Sequence, residues 1–365
     1  MSKLHELNAI GQSIWLDYIR RDLIESGELK QMIDNGLRGM TSNPAIFEKA
    51  IANSSDYDDQ LRELFKQEDL DTVAVYEALA IKDIQDVADL LRPVFDDSEG
   101  VDGYISLEAN PHLANEMQGT VDEIHRLREQ VNRPNVMYKI PATPAGIQAI
   151  EQLISEGVNI NVTLMFSMKH YEDVANAYIS GLEKFAANGG DVCTVASVAS
   201  FFISRVDVKL DPQVTEKGKP ELAGKIGIAN SKSVYQHFKQ LFGDARWQKL
   251  AAKGARVQRP LWASTGTKNP DYSDVLYVET LIGAHTVNTL PPATLDAFLD
   301  HGAVANTVED NLDDVNAQLA ALEALGIDLN QVGEELQAEG VAKFNKPFDS
   351  LLATIDAQRE KLIEA

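Results

Sequence analysis

Cysteine is almost missing from this chain: Cys193 is the only one in 365 residues. A single thiol can form no intramolecular disulfide and no multi-cysteine zinc or iron–sulfur site, and it fits a reducing cytoplasm. The seven histidines (5, 112, 125, 170, 237, 285 and 301) show no HxH or HExxH spacing. That argues against a histidine-rich metal centre, and each histidine reads as structural or surface; an all-carboxylate magnesium site stays open. Basic residues are outnumbered, 33 against 56, for a formal net charge of -23. Nucleic acid and anionic membranes are therefore poor partners, and an anionic small molecule needs cations gathered locally. No uncharged apolar run reaches eighteen residues, and the opening "MSKLHELNAIGQSIW" lacks an apolar stretch of signal-peptide length. A soluble, cytoplasmic protein is expected.

Nucleotide signatures are missing too. No GxGxxG occurs, and "GKPELAGK" carries one residue too many between its glycines, with Ile226 where a phosphate loop needs Ser or Thr. No cofactor and no metal is expected.

What is present is a globular composition, 44% hydrophobic and 24% charged. Eight short β-rich runs recur: "SIWLDY", "LRGMTSN", "GYISLEAN", "NVMYKIP", "VNINVTL", "VCTVASVAS", "PLWASTG" and "HTVNTLP". Between them lie segments such as "PAGIQAIEQLISEG" and "KHYEDVANAYISGLEKFAANG", whose apolar residues return every three or four positions, as in amphipathic helices. Alternation of strand and helix predicts a single (β/α)8 TIM barrel over about residues 12 to 300; a doubly wound open sheet is the competing arrangement. Residues 210 to 230 mix Pro, Gly and charge and read as a long surface loop, and 303 to 365 as appended acidic helices. The whole chain is expected to form one domain.

Strand side chains alternate between two faces. In "VNINVTL", Asn159, Asn161 and Thr163 share one face, while Ile160, Val162 and Leu164 share the other. The same split sets Tyr104, Ser106 and Glu108 against Ile105, Leu107 and Ala109, and Ser13, Trp15 and Asp17 against Ile14, Leu16 and Tyr18. With helices covering the oily face, the polar set faces the barrel axis. Lys139 shares a face with Asn135 and Met137 and is sent inward as well. Asp17, Asn43, Glu108, Lys139 and Thr163 fall near the C-terminal ends of their strands, where barrel enzymes build their sites. Two bland readings stand beside this one: Lys139 pairs with Asp17 or Glu108 in a structural network, or it snorkels to solvent.

A lysine among carboxylates, hydroxyls and amides is equipped for Schiff-base chemistry on a carbonyl substrate. The amine must be neutral to attack. At an ordinary pKa of about 10.4, roughly one in a thousand is neutral near pH 7.4, so partial burial that disfavours the cation helps directly. Arg205, after the sixth strand, and Lys268, after the seventh, lie where barrels commonly hold phosphate, with Ser264 and Thr267 as further donors.

The stretches "GLRGMTSNPAIFEKAI", "GYISLEANPHLA", "NVMYKIPATPAGIQAIEQLISEGVNINVTLMFS" and "LWASTGTKNP", in this order, resemble transaldolase in its longer bacterial form, from about residue 8 to 300. The resemblance implies a cofactor-free class I aldolase barrel of the pentose phosphate pathway. Such an enzyme moves a dihydroxyacetone unit from sedoheptulose 7-phosphate or fructose 6-phosphate to glyceraldehyde 3-phosphate or erythrose 4-phosphate. It further implies that Lys139 forms the imine, Asp17 takes the C4 hydroxyl proton, and Glu108 with Thr163 handles a water. Asn43, Asn161 and Ser200 would bind the dihydroxyacetone hydroxyls. Arg205 matches the phosphate arginine, whereas the seventh-strand loop reads "STGTKNP" where relatives carry a second arginine, leaving Lys268 or loop amides in its place. Three alternatives are carried forward: an aldolase releasing free dihydroxyacetone, a carboxylate-metal barrel hydrolase or lyase, and a non-catalytic barrel. Whether the chain forms a homo-oligomer is not legible.

Overall fold

A computed structural model describes residues 2–67 and 69–364. Eight strands close into a barrel in sequence order: β1 (Gln12–Asp17), β2 (Gly39–Thr41), β3 (Tyr104–Glu108), β4 (Val136–Pro141), β5 (Ile160–Met165), β6 (Ser197–Phe202), β7 (Arg259–Ala263) and β8 (Thr286–Leu290). Every neighbouring pair is parallel, and β1 pairs with β8, so the sheet has no free edge and the open-sheet alternative is ruled out. Among the described residues no helix is long and apolar enough to cross a membrane.

Alternation sorts the strands as their sequences require. Ile14, Leu16, Ile105, Leu107, Val136, Tyr138, Ile140, Ile160 and Val162 join the core under the surrounding helices. Fully burying each aliphatic side chain of this kind contributes about 1.5–3 kcal/mol. Trp15, Tyr104, Met137, Val198, Leu261 and Val287 form the separate cluster on the barrel axis.

Leu164 departs from the expected alternation. Strict alternation puts it on the oily outer face with Ile160 and Val162, but it joins the inner cluster with Phe166 and Phe202, and Met165 takes the outer position. The cause is a register shift between Val162 and Met165 with Leu164 at φ +59°. A bulge of this kind adds a residue and reverses the alternation beyond it.

Residues 210 to 230 are not a long loop. The helix Ser204–Glu216 runs through the first part and the helix Ile226–Leu241 begins the last, with a short turn around Pro220–Leu222. Pro212 sits inside the first helix. The carbonyl it leaves without an amide, four residues earlier at Val208, lies on an exposed turn where water can satisfy it. Buried Leu210 and Val214 hold the opposite face.

Beyond the barrel, one helix spans Leu312–Ala324 and a longer one Leu329–Glu364. The longer helix packs over the helices Pro44–Ala52, Asp58–Phe65 and Thr72–Asp97 and touches β5, bringing its middle turns to the C-terminal mouth of the barrel.

Candidate active site

The segment around Lys139 is built to stop a strand and start a helix within a few residues. Pro141 ends β4, and Thr143 caps the helix Pro144–Ile154 by accepting from Gly146 N at 3.0 Å, with Pro144 in the first turn. A threonine cap contributes about 1 kcal/mol, and proline suits a first turn whose amides lack helical partners. This abrupt join fixes the end of β4, and Lys139 two residues before it, at the rim.

Lys139 is only 6% exposed, so it does not snorkel. Its Nζ lies 3.2 Å from Glu108 Oε2 and donates to Ser42 O at 3.2 Å. Glu108 and Lys139 are register partners on β3 and β4, so the pairing follows from the sheet itself. Burial pushes the Glu108 carboxyl above its ordinary range, with the Lys139 charge opposing the shift. A carboxyl raised in this way is a ready acceptor for a proton from the amine beside it. The geometry thus offers Lys139 a route to its nucleophilic form.

A cavity of about 700 Å³, including space open to solvent, lies above this pair. Asp17, Asn43, Lys139, Thr163, Ser200, Arg205, Ser264 and Lys268 all line it. Asp17 accepts from Thr41 Oγ1 at 2.7 Å, and that hydroxyl also meets Thr289 Oγ1 at 2.7 Å. Asn43 caps the helix Pro44–Ala52 by accepting from Ile46 N at 3.0 Å, which fixes the side chain and leaves its amide nitrogen uncommitted. Thr163 Oγ1 is buried with no hydrogen-bond partner among the described residues, and Glu108 Oε2 has only the Lys139 ammonium beside it.

Glu108, Asn161 and Thr267 are not among the residues lining the cavity; Glu108 instead lines a neighbouring pocket with Tyr76, Leu107, Glu123 and Phe348. Asn161 lies fully buried beneath the cavity, donating to Ser106 Oγ at 2.9 Å and accepting from Ser200 Oγ at 2.6 Å. It orients Ser200. Thr267 is half-buried in the loop after β7, while its neighbour Lys268 reaches the cavity rim.

Arg205 has no carboxylate partner among the described residues, and its Nη1 is buried without a hydrogen bond. Burial lowers its affinity for a proton, with Glu108 acting against that. Its guanidinium lies 5.0 Å from the Phe202 ring centroid and 6.0 Å from that of Phe344. Ser264, at φ +56°, contacts Ser204 Oγ at 2.8 Å. A guanidinium held between aromatic faces without a counter-ion, at the first turn of the helix Ser204–Glu216, suits an anionic ligand.

Thr41, Thr289, Phe202 and Phe344 also line the cavity but were not singled out from the sequence. Alternation could have found three of them, since Thr41 shares a face with Asn43, Thr289 with inward Val287, and Phe202 with Ser200. Phe344 carries no such signal.

Comparison with known proteins shows the family of the chain. Residues 14–355 match the family model described as transaldolase/fructose-6-phosphate aldolase. A "Transaldolase 2" of Nostoc sp. is 47% identical over 98% of each chain, and a "Transaldolase" of Trichodesmium erythraeum is 47% identical over 98% of each. A "Transaldolase" of Thiobacillus denitrificans is 47% identical over 97% of this chain and all of its own length. The chain belongs to the transaldolase/fructose-6-phosphate aldolase family.

Proposed function

We propose that this enzyme is a transaldolase, a transferase working through a Schiff base on Lys139. The observation that carries this reading is that Lys139, held 3.2 Å from buried Glu108, lines one cavity together with Asp17 and Arg205. The neutral amine attacks the C2 ketone of fructose 6-phosphate or sedoheptulose 7-phosphate. Water leaves the resulting carbinolamine beside Glu108, which adjoins the nitrogen, and Thr163, whose hydroxyl has no other partner among the described residues. Asp17, oriented by Thr41, takes the C4 hydroxyl proton; the C3–C4 bond breaks, and its electrons pass into the imine to give an enamine. The aldose phosphate departs. Attack of the enamine on a second aldehyde, with Asp17 returning the proton, reverses these steps, and hydrolysis frees Lys139.

Asn43 and Ser200 would bind the dihydroxyacetone hydroxyls, with Asn161 holding Ser200 from below. Arg205, with Lys268 and Ser264 at the rim, would take the phosphate. Thr267 is assigned no contact. Since Lys268 lacks a guanidinium's paired donors, Arg205 is expected to carry most of the phosphate recognition. No cofactor enters these steps, and the whole chain is taken to work as one domain in a reducing cytoplasm.

Release of free dihydroxyacetone is the less favoured reading, because the relatives named above are transaldolases. The test is to supply fructose 6-phosphate with and without erythrose 4-phosphate. Transfer predicts sedoheptulose 7-phosphate in the presence of acceptor and little free dihydroxyacetone in either case. Equal release of dihydroxyacetone with and without acceptor would contradict it.

A further inference from the structure

The long C-terminal helix presses one stripe of residues onto the barrel mouth. Gly333, Gln337, Gly340 and Phe344 follow at intervals of four, three and four, which places them on one helical face. A Cβ at Gly333 would stand 2.7 Å from Ser167 Cβ, and one at Gly340 2.8 Å from Leu164 Cδ2. The helix lies too close to the rim for a side chain at either position. Between them, buried Gln337 donates to Ala142 O at 2.8 Å and to Leu164 O at 3.1 Å. These carbonyls belong to the end of β4 and the bulge of β5, so the helix is tied to the two strands that carry Lys139 and Thr163. One turn further on, the Phe344 ring centroid is 5.8 Å from Lys139 Nζ and 6.0 Å from Arg205 Cζ. A single ring therefore overlooks both the amine and the unpaired guanidinium.

We propose that Phe344 is a positioning residue that partitions the Lys139 enamine between transfer to an aldehyde and loss to water. This rests on the Schiff-base reading above. Loss requires a proton to add to the enamine carbon, giving the cationic imine. Water then adds to the imine carbon and the carbon–nitrogen bond breaks, freeing dihydroxyacetone and the lysine amine, with one water consumed overall. A phenyl ring beside the nitrogen occupies space in which that water would stand. Its π face also favours the positive charge of both the imine and Arg205. With Phe202 on another side, the ring keeps the guanidinium aimed at the phosphate of the incoming aldehyde.

The experiment compares wild type with Phe344→Ala, Phe344→Leu and Phe344→Tyr, using fructose 6-phosphate with and without erythrose 4-phosphate. Phe344→Ala is expected to raise free dihydroxyacetone per transfer event several-fold and to raise KM for fructose 6-phosphate about 3- to 10-fold, the scale of a lost cation–π contact. Phe344→Leu, which keeps apolar bulk should the alanine variant misfold, is expected to retain much of the water exclusion while losing the KM effect of the ring. Phe344→Tyr is expected to restore both. Unchanged partition and unchanged KM in the alanine or leucine variant would overturn the proposal, as would transfer and release falling together in proportion. Failure of borohydride to trap any adduct in active wild-type enzyme would instead break the Schiff-base reading beneath it.

Discussion

The two ends of the barrel both bury an ion pair, but they treat it in opposite ways. At the N-terminal end, Arg259 donates to Ser13 Oγ (2.8 Å), Asp102 Oδ1 (2.9 Å) and Val101 O (2.7 Å). Ser13 and Trp15 donate to the same carboxylate at 2.6 and 3.3 Å. No side-chain atom of Arg259, Asp102 or Ser13 is buried without a partner. At the C-terminal end, Glu108 Oε2 has only the Lys139 ammonium beside it, at 3.2 Å, and Thr163 Oγ1 and Arg205 Nη1 are buried without a partner among the described residues. Inward polarity is therefore not in itself a mark of chemistry. Unfinished hydrogen bonding alone is no mark either, since the amide oxygens of Gln12, Asn135 and Gln258 at the N-terminal strand starts lack partners too; what sets the C-terminal mouth apart is that the unfinished group includes a buried guanidinium, whose desolvation cost is larger.

The largest expected difference between the ends is in activity. Lys139→Met should abolish turnover by more than ~10⁴-fold, as loss of a covalent nucleophile does, while leaving the protein folded by circular dichroism. The stranded Glu108 can take a proton, a change its burial already favours. Next comes Asp17→Asn. Carbon-bond cleavage should slow by about 10²–10⁴-fold, the usual contribution of a general base, while imine formation from fructose 6-phosphate still proceeds by rapid-mixing spectroscopy. Equal loss of both steps would show that Asp17 acts elsewhere.

At the opposite end, Asp102→Ala should cost about 3–5 kcal/mol in denaturant unfolding, because a buried guanidinium cannot shed its charge. Activity per folded molecule should be unchanged. A smaller effect is expected for Arg205→Lys: kcat/KM for phosphorylated substrates should fall roughly 10–100-fold through loss of the forked donor, with little change in stability.

The smallest effect concerns a buried carboxyl outside the cavity lining. Asp207 accepts from Gly227 N at 2.6 Å and Tyr277 Oη at 2.8 Å, and burial pushes its pKa up to about 7. Between the ordinary carboxyl range and that value the folded chain binds more protons than the unfolded one, so stability falls as pH rises through the window. Asp207→Asn should flatten that fall when unfolding is compared at pH 5 and pH 8. An unchanged slope would mean that the carboxyl stays ionised at pH 5.

Much of the barrel was legible because its signals are local. Period-two alternation marked the strands, and strand parity sent Asp17, Lys139 and Thr163 to one cavity. Three features escaped for physical reasons. The bulge at Leu164 depends on a left-handed backbone that leucine seldom adopts, so alternation carried one residue too far. Pro and Gly between 210 and 230 suggested a loop, although Pro212 disturbs only a carbonyl on an exposed turn. Phe344 reaches the mouth only because two glycines and Gln337 let its helix lie against strands nearly two hundred residues earlier, a contact that periodicity cannot specify.

The most direct test is reductive trapping. Active enzyme is incubated with fructose 6-phosphate and borohydride, and the modified peptide is mapped by mass spectrometry. A reduced substrate adduct on Lys139, absent in Lys139→Met, is the expected result. Full inactivation with the adduct on another lysine, or turnover that leaves Lys139 unmodified after exhaustive reduction, would contradict the assignment of this residue as the nucleophile.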